Sequence, residues 1–350
     1  MQRLFHTTRL PEKALAVTLM LLVFSGFSGC VKRSAAGEAP GISIAVFVPG
    51  VMSGSPIYEM LAQGVQKAGA EYPQVEVQVV EAGYNQAEWE PKLTALAAAE
   101  SYDLIVSSNP SLPALAQSVS AKFPKQKFLL LDGEISGNPA IYTMRYNQRE
   151  QAYIAGHIAA LIAQEGKTAA GVSKKIGLIA GQEYPAMNTI MLPAYGEAAR
   201  SIDPAFQVDF RVVGNWFDAG KGAELALDMI RGGSAVLLCV AGGANEGAVQ
   251  AASEAGAKVI WFDTNGYDIR PGTVAGSAIL RQDKAAYEQT RRFLDGTLPF
   301  GTSEIVGIKD GYVDFIEDDQ NYIAAVSPEI RAKQGELLRR IRSGELVLGY

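Results

Sequence analysis

The sequence predicts an α/β fold of two Rossmann-like lobes, each built on a parallel sheet, with an interlobe cleft. Three observations predict it. From Gly41 onward, short unbroken apolar runs alternate with stretches of helical periodicity. Strands that are apolar throughout are buried on both faces, and helices on either side of a parallel sheet provide that burial. The alternation completes one set and then begins again. Finally, Tyr102–Asp132 and Ser234–Asp263 can be laid side by side. Each reads as strand, small polar loop, helix and a second strand ending in aspartate, LLLD in one and VIWFD in the other.

In the first set, strands are expected at Ile42–Val48, Val75–Val80, Leu104–Ser107, Phe128–Leu131 and Ile141–Tyr146. Helices are expected at Ile57–Ala70, Ala87–Ala98 and Ala114–Lys122, and Ser55-Pro56 supplies an N-cap followed by proline at the first helical position. Glu150–Ala163 reads as a helix leading out of this half. The second set has strands at Ile176–Ala180, Val208–Val213, Ala235–Val240, Val259–Phe262 and Val274–Ser277. Its helices fall at Met191–Ser201, Gly222–Ile230, Gly247–Ala255 and Lys284–Leu294. The tail adds strand-like Ile305–Lys309 and Tyr312–Phe315 and a closing helix, Ile330–Arg342. The N-terminal lobe is therefore placed at 41–148, with part of 278–350 returning to it. A crossover helix and the C-terminal lobe take 149–277, and a second crossover and the C-terminal segments take 278–350.

The first thirty residues read as an export signal. Arg3, Arg9 and Lys13 precede the apolar run Ala14–Phe24, which is shorter than the roughly 20 residues a membrane span needs. Phe27-Ser28-Gly29-Cys30 resembles a lipobox, with Phe27 where leucine is favoured, and makes Cys30 a candidate for lipidation. Residues 1–29 are thus a leader and 30–40 a flexible tether. Cys239 is the other cysteine, lies in the apolar run AVLLCVAGG and is expected to be a buried free thiol. Losing the leader's three basic and one acidic residues takes the formal charge from −6 to about −8. A chain this acidic, with scattered charges, is a poor nucleic-acid binder.

In open α/β sheets ligands sit beyond the carboxyl ends of the strands. This nominates Ser108, Asn109, Asp132, Asn147, Trp216, Gly242, Asp263, Asn265 and Gln282, together with the stretches Pro49–Ser53 and Ala241–Ala244. A carboxylate ending an apolar strand must find water, a donor or a ligand, so Asp132 and Asp263 stand out. Ala241-Gly242-Gly243 offers small residues and backbone N–H groups.

Several stretches together resemble the basic membrane protein family of ABC-transporter solute-binding lipoproteins. They are VVGNWFDAGKGAELALDMI, VLLCVAGGANEGAVQAASEAG, VIWFDTNGYD and IVGIKDGYV, with YDLIVSS and QAYIAGHIAALI. The resemblance implies a type I periplasmic-binding-protein fold and a monomeric receptor, delivering its solute to an ABC permease and using no cofactor. It also implies a ligand sandwich: an aromatic clamp at Trp216, a hydroxyl-binding Asp263, and basic groups at Lys309 and Arg281. At the first clamp the family carries Asp-Asp-x-Ser-Phe-Asn. Here the chain reads Gly50-Val51-Met52-Ser53-Gly54-Ser55-Pro56-Ile57-Tyr58, without the acidic pair and with its aromatic displaced to Tyr58. This stretch is similar to riboflavin-binding lipoproteins within the family. Riboflavin, a flat three-ring system with a hydroxylated chain, is the expected ligand. A purine nucleoside is the alternative, and a sensor feeding a membrane receptor is the alternative role.

Catalysis is disfavoured. The chain has two histidines, His6 in the leader and His157 in an apolar helical run. No GxSxG, HExxH or P-loop pattern occurs. A transcriptional regulator of this architecture would carry a DNA-binding helix pair where the leader stands.

Overall fold

Strands apolar along their whole length become the inner strands of two sheets. The structure is a computed structural model and describes residues 41–168 and 171–349. The leader, Cys30 and the tether lie outside the described residues. The N-terminal lobe runs β1 (Ile42–Val48), α1 (Pro56–Gly69), β2 (Val75–Glu81), α2 (Trp89–Ala98), β3 (Leu104–Ser108), α3 (Leu112–Lys122), β4 (Lys127–Leu131) and β5 (Ile141–Tyr146). Helix α4 (Gln148–Glu165) and the short antiparallel pair β6 (Lys167–Thr168) and β7 (Gly171–Val172) lead into the C-terminal lobe. That lobe runs β8 (Lys175–Ala180), α5 (Leu192–Ile202), β9 (Gln207–Val212), α6 (Ala219–Arg231), β10 (Val236–Val240), α7 (Asn245–Ala255), β11 (Lys258–Asp263) and β12 (Val274–Leu280). Then come α8 (Gln282–Leu294), β13 (Ser303–Val306), β14 (Val313–Phe315), α9 (Gln320–Ala325) and α10 (Pro328–Arg342).

The two sheets have the same strand order. One is β13-β5-β4-β3-β1-β2 and the other β14-β12-β11-β10-β8-β9, so each N-terminal strand has a counterpart in the same place. All pairings are parallel except β12 with β14. The likeness extends to single hydrogen bonds at the strand ends. Ala82 N donates to Val48 O at 2.8 Å, and Gly83 N to Gly50 O at 2.8 Å. In the other lobe Val213 N donates to Ala180 O at 2.8 Å, and Gly214 N to Gly181 O at 2.9 Å. Alternation along β1 shows why its sheet needs cover on both sides. Ile44 and Val46 pack with Leu61 and Val65 of α1 and Ala285 of α8, whereas Ala45 and Phe47 pack with Leu93 of α2 and Ala116 of α3. Cys239, in β10, is 0 % exposed, and burial pushes its thiol up to about 12.

The helices that join the lobes change sides. Helix α4 follows β5 of the first sheet but packs on α5 and on β8, β10 and β12 of the second. Helix α8 follows β12 of the second sheet but packs on α1 and β4 of the first. Three crossovers result, at Asn147, at Arg281 and through residues 307–312. The last corrects an expectation, because β13 stops at Val306 instead of continuing to Lys309. Gly307 N donates to Asp310 Oδ2 at 2.9 Å and Ile308 N to Glu150 Oε2 at 2.7 Å, so these groups leave the strand ladder. His157 is a packing residue of α4: its Nδ1 lies 2.7 Å from Gln334 Oε1 of α10, and burial holds its pKa below the usual value.

The contact of α4 with α5 depends on Gly156, where a Cβ would run into the Tyr195 carbonyl. Alanine would favour an isolated helix by about 1 kcal/mol, but overpacking costs roughly 1–3 kcal/mol. Gly156→Ala is therefore expected to lower the urea midpoint. An unchanged or higher midpoint would mean that the two helices are not packed this closely.

Candidate functional site

The cleft lies where the carboxyl ends of both sheets meet, and its centre is a pair of aspartates. Asp132 follows β4 and Asp263 ends β11, the counterpart strand. Both have left-handed backbone, φ 54° and 72°, a region that non-glycine residues rarely occupy and aspartate tolerates best. The same strand-end geometry thus presents one carboxylate from each lobe.

Both are held by one helix. Gln148 Nε2 donates to Asp132 Oδ1 at 3.0 Å, and Gln151 Nε2 donates to Asp263 Oδ1 at 3.0 Å. Residues three apart share a helix face, so the first turn of α4 reaches both lobes. Gln151 also donates to Ala278 O of β12 at 3.1 Å, which fixes its rotamer. Nearby, the Tyr146 hydroxyl donates to Gln282 Oε1 at 2.7 Å and ties the end of β5 to the start of α8.

Desolvation within the cleft raises both carboxyl pKa values. Asp132 is pushed up to about 8, first by burial and then by the charge of Asp263, against a smaller opposing effect of Arg145. Burial pushes Asp263 up to about 6, opposed by the hydrogen bond from Gln151. Near neutral pH the pair holds one proton on Asp132. It then offers a donor on one side and acceptors on the other.

An aromatic wall adjoins the pair. Trp216, in the loop after β9, lies on the backbone of Gly181, where a Cβ would overlap the indole. Its Nε1 donates to Gln182 Oε1 at 3.1 Å. Tyr184, from the same loop as Gln182, sets its ring 6.2 Å from the Trp216 ring. Burial, and then the charges of both aspartates, raise the Tyr184 pKa. On the N-terminal side Tyr58 packs against Gly50 and donates to Pro49 O at 3.3 Å, while Asn109 Nδ2 donates to the Tyr58 hydroxyl at 3.4 Å. Burial and then Asp132 raise the Tyr58 pKa, against the Asn109 bond, to about 12. Tyr84 and Phe217 come from opposite lobes, with ring centroids 5.9 Å apart and exposures of 56 % and 61 %.

The structure therefore brings Tyr58, Asn109, Asp132, Asp263 and Trp216 to one cleft. Most of the other nominated residues have partners within the protein. Asn147 caps α4, its Oδ1 accepting from Glu150 N at 3.2 Å. Ser108 is buried at the end of β3. Gly242 backs the Trp216 loop: Gly243 N donates to Trp216 O at 2.8 Å, and a Cβ on Gly242 would sit 2.9 Å from that oxygen. Ala241 N is likewise bonded to Asn245 Oδ1 and Ala244 N to Ala241 O, so these N–H groups hold the loop itself. Asn265 is exposed, accepts from Tyr267 N and donates to Asp319 Oδ2. Arg281 sits in the second crossover, 3.4 Å from Asp283. Lys309 sits exposed in the third. Gln148, Gln151, Gln182, Tyr84 and Tyr184 were not anticipated. The only signal for the first two is their spacing after the Asn147 cap. Among the described residues no cluster of His, Cys, Asp and Glu is arranged to hold a metal, and no helix is long and apolar enough to cross a membrane.

Two lobes built on mostly parallel sheets, three crossovers and a cleft lined by both sheets' carboxyl ends define the periplasmic-binding-protein type of fold. Residues 42–346 match the family described as ABC transporter substrate-binding protein PnrA-like, and the chain belongs to that family. It is a solute-binding protein of an ABC transporter, which implies a small-molecule ligand and a permease partner. The family consists of binding proteins rather than enzymes, extracytoplasmic and membrane-associated. Among relatives, the CD4+ T-cell-stimulating antigen of Listeria monocytogenes is 23 % identical over 261 residues, 70 % of each chain. The ABC transporter nucleoside-binding protein BmpA of Lactococcus lactis is 27 % identical over 148 residues, 42 % of this chain and 40 % of that one. The solved solute-binding protein of an Aeropyrum pernix ABC transporter system superposes with a TM-score of 0.77 at 23 % identity, covering 88 % of this chain and 93 % of that one.

The raised aspartates make a pH prediction. Their native pKa values lie above the ordinary value near about 4, so between those values the folded chain keeps protons that the unfolded chain releases. The resulting stability is fully present below about pH 4. It is lost as pH rises through about 6 for Asp263 and about 8 for Asp132. Asp132→Asn is expected to melt higher than the wild type at about pH 8.5 and to lose the advantage near about pH 4. A stability difference between variant and wild type that stays constant across that range would refute this origin.

Proposed function

We propose that the chain is a lipid-anchored receptor that captures riboflavin in the interlobe cleft and delivers it to its permease. The observation that carries the reading is the union of two surfaces. The aromatic wall of Trp216 and Tyr184 adjoins the carboxylates of Asp132 and Asp263. Stacking of a flat ring on such a wall adds about 0.5–1.5 kcal/mol beyond area burial. Hydroxyls that donate to a carboxylate form charge-assisted bonds, roughly twice as strong as neutral ones. Riboflavin offers both a planar three-ring system and a hydroxylated chain.

The loop from Pro49 to Tyr58 supports a ring larger than a purine. It lacks carboxylates of its own, and Met52 N is held instead by Glu81 Oε1 at 2.9 Å. Small and apolar side chains at Gly50, Val51, Ser53 and Gly54 leave this wall broad. The second reading, a purine nucleoside, uses the same cleft, and the name of the Lactococcus relative favours a nucleoside. A sensor for a membrane receptor would also bind its ligand there. Attachment through Cys30 fits the family's membrane association. Because each lobe supplies contacts, the solute stabilises the closed arrangement and the permease meets that form, with a single copy of the chain sufficient.

The test is an absorption spectrum of the purified protein followed by titration. A flavin spectrum, or uptake of added riboflavin, supports the reading, while a colourless protein that takes up none and binds inosine instead replaces it. Trp216→Ala and Asp263→Ala are each expected to weaken riboflavin binding at least tenfold, about 1.4 kcal/mol. Unchanged affinity in either variant removes that residue from the site.

A further inference from the structure

The loop between β8 and α5 does two separate things. Gly181 and Gln182 seat the Trp216 indole, one from beneath and one through its Nε1. Two residues on, Tyr184 projects from the C-terminal lobe to where the charges of Asp132, across the cleft, and Asp263 both act on its hydroxyl. Its hydroxyl partner is the Met191 thioether at 3.4 Å. A thioether is a weak acceptor, so the Tyr184 hydroxyl has a better partner to gain from a ligand. Met191 closes a π-helical turn, Met187–Met191, that precedes α5. Such turns are rare and frequent at functional sites. This one is braced by Thr189 Oγ1 donating to Pro185 O at 2.8 Å and Asn188 Nδ2 donating to Glu183 Oε2 at 2.8 Å.

The junction between ring wall and carboxylate pair is thus occupied by one residue with a planar face and a polar tip. We infer that Tyr184 is a specificity-determining contact that selects solutes in which a hydroxylated chain leaves a planar ring. Its ring extends the Trp216 surface, and its hydroxyl exchanges the thioether for the first hydroxyls of that chain. A bare ring gains nothing from the hydroxyl, and a sugar without a ring misses the wall. The assignment rests on the proposed riboflavin reading and names the residue that distinguishes riboflavin from its ring alone.

The experiment compares riboflavin with lumiflavin, the same ring with a methyl in place of the ribityl chain, in the wild type and in Tyr184→Phe. The variant keeps the ring against Trp216 and removes only the hydroxyl. Riboflavin affinity is expected to fall roughly tenfold or more while lumiflavin affinity stays within about twofold. A variant that binds riboflavin like the wild type overturns the assignment. So does one that loses both ligands equally, since Tyr184 then only supports Trp216. A wild type that binds no riboflavin overturns the proposed function itself, and this assignment with it.

Discussion

The first turn of α4 is the constraint on which the cleft depends. Gln148 and Gln151, both buried, hold a carboxylate from each lobe through hydrogen bonds of 3.0 Å. The helix begins where the first sheet ends and packs into the core of the second. A rigid turn therefore carries the reference frame of both lobes to one point. Two aspartates gathered there repel when both are ionised, so the cleft favours a proton retained on one of them.

Internal repetition explains why the carboxylates face one another. The sheets share strand order, the bonds joining the first two strand ends of each lobe correspond, and both aspartates take the left-handed backbone. The lobes diverge in the loops beyond their second strands. After β2 the chain presents Tyr84, and after β9 it presents Trp216 and Phe217. One lobe thereby supplies most of the aromatic wall, while the shared strand-end geometry supplies a polar centre from both. The two lobes thus share a framework and differ at its loops, where substitutions leave the sheet cores undisturbed.

Much of this was legible in the sequence because it depends on local pattern. Continuous apolar runs mark strands buried on both faces, and Asp132 and Asp263 announce themselves as charges that end such runs. What stayed hidden depends on distance in the chain. Gln148 and Gln151 look like an ordinary polar helix start, and their partners are 16 and 112 residues away. Tyr184 lies in Gly-Gln-Glu-Tyr-Pro, which has no periodicity to mark it. Conversely, Asn147 and Asn265 follow strands as a ligand residue would, yet their amides serve a helix cap and a turn. Asparagine is favoured at both tasks for the same reason that it suits ligands, since its side chain offers an acceptor and donors at short reach. The glycine-rich loop at Gly242 gives a similar lesson, because its small residues admit the backbone of Trp216.

A crystal structure of the protein with its co-purified or added solute tests the central claim most directly. The account predicts a planar ring against Trp216, with hydroxyls bonded to Asp132 and Asp263 while Gln148 and Gln151 keep their hold on both. A solute bound elsewhere, or in the cleft without touching either aspartate, would contradict it.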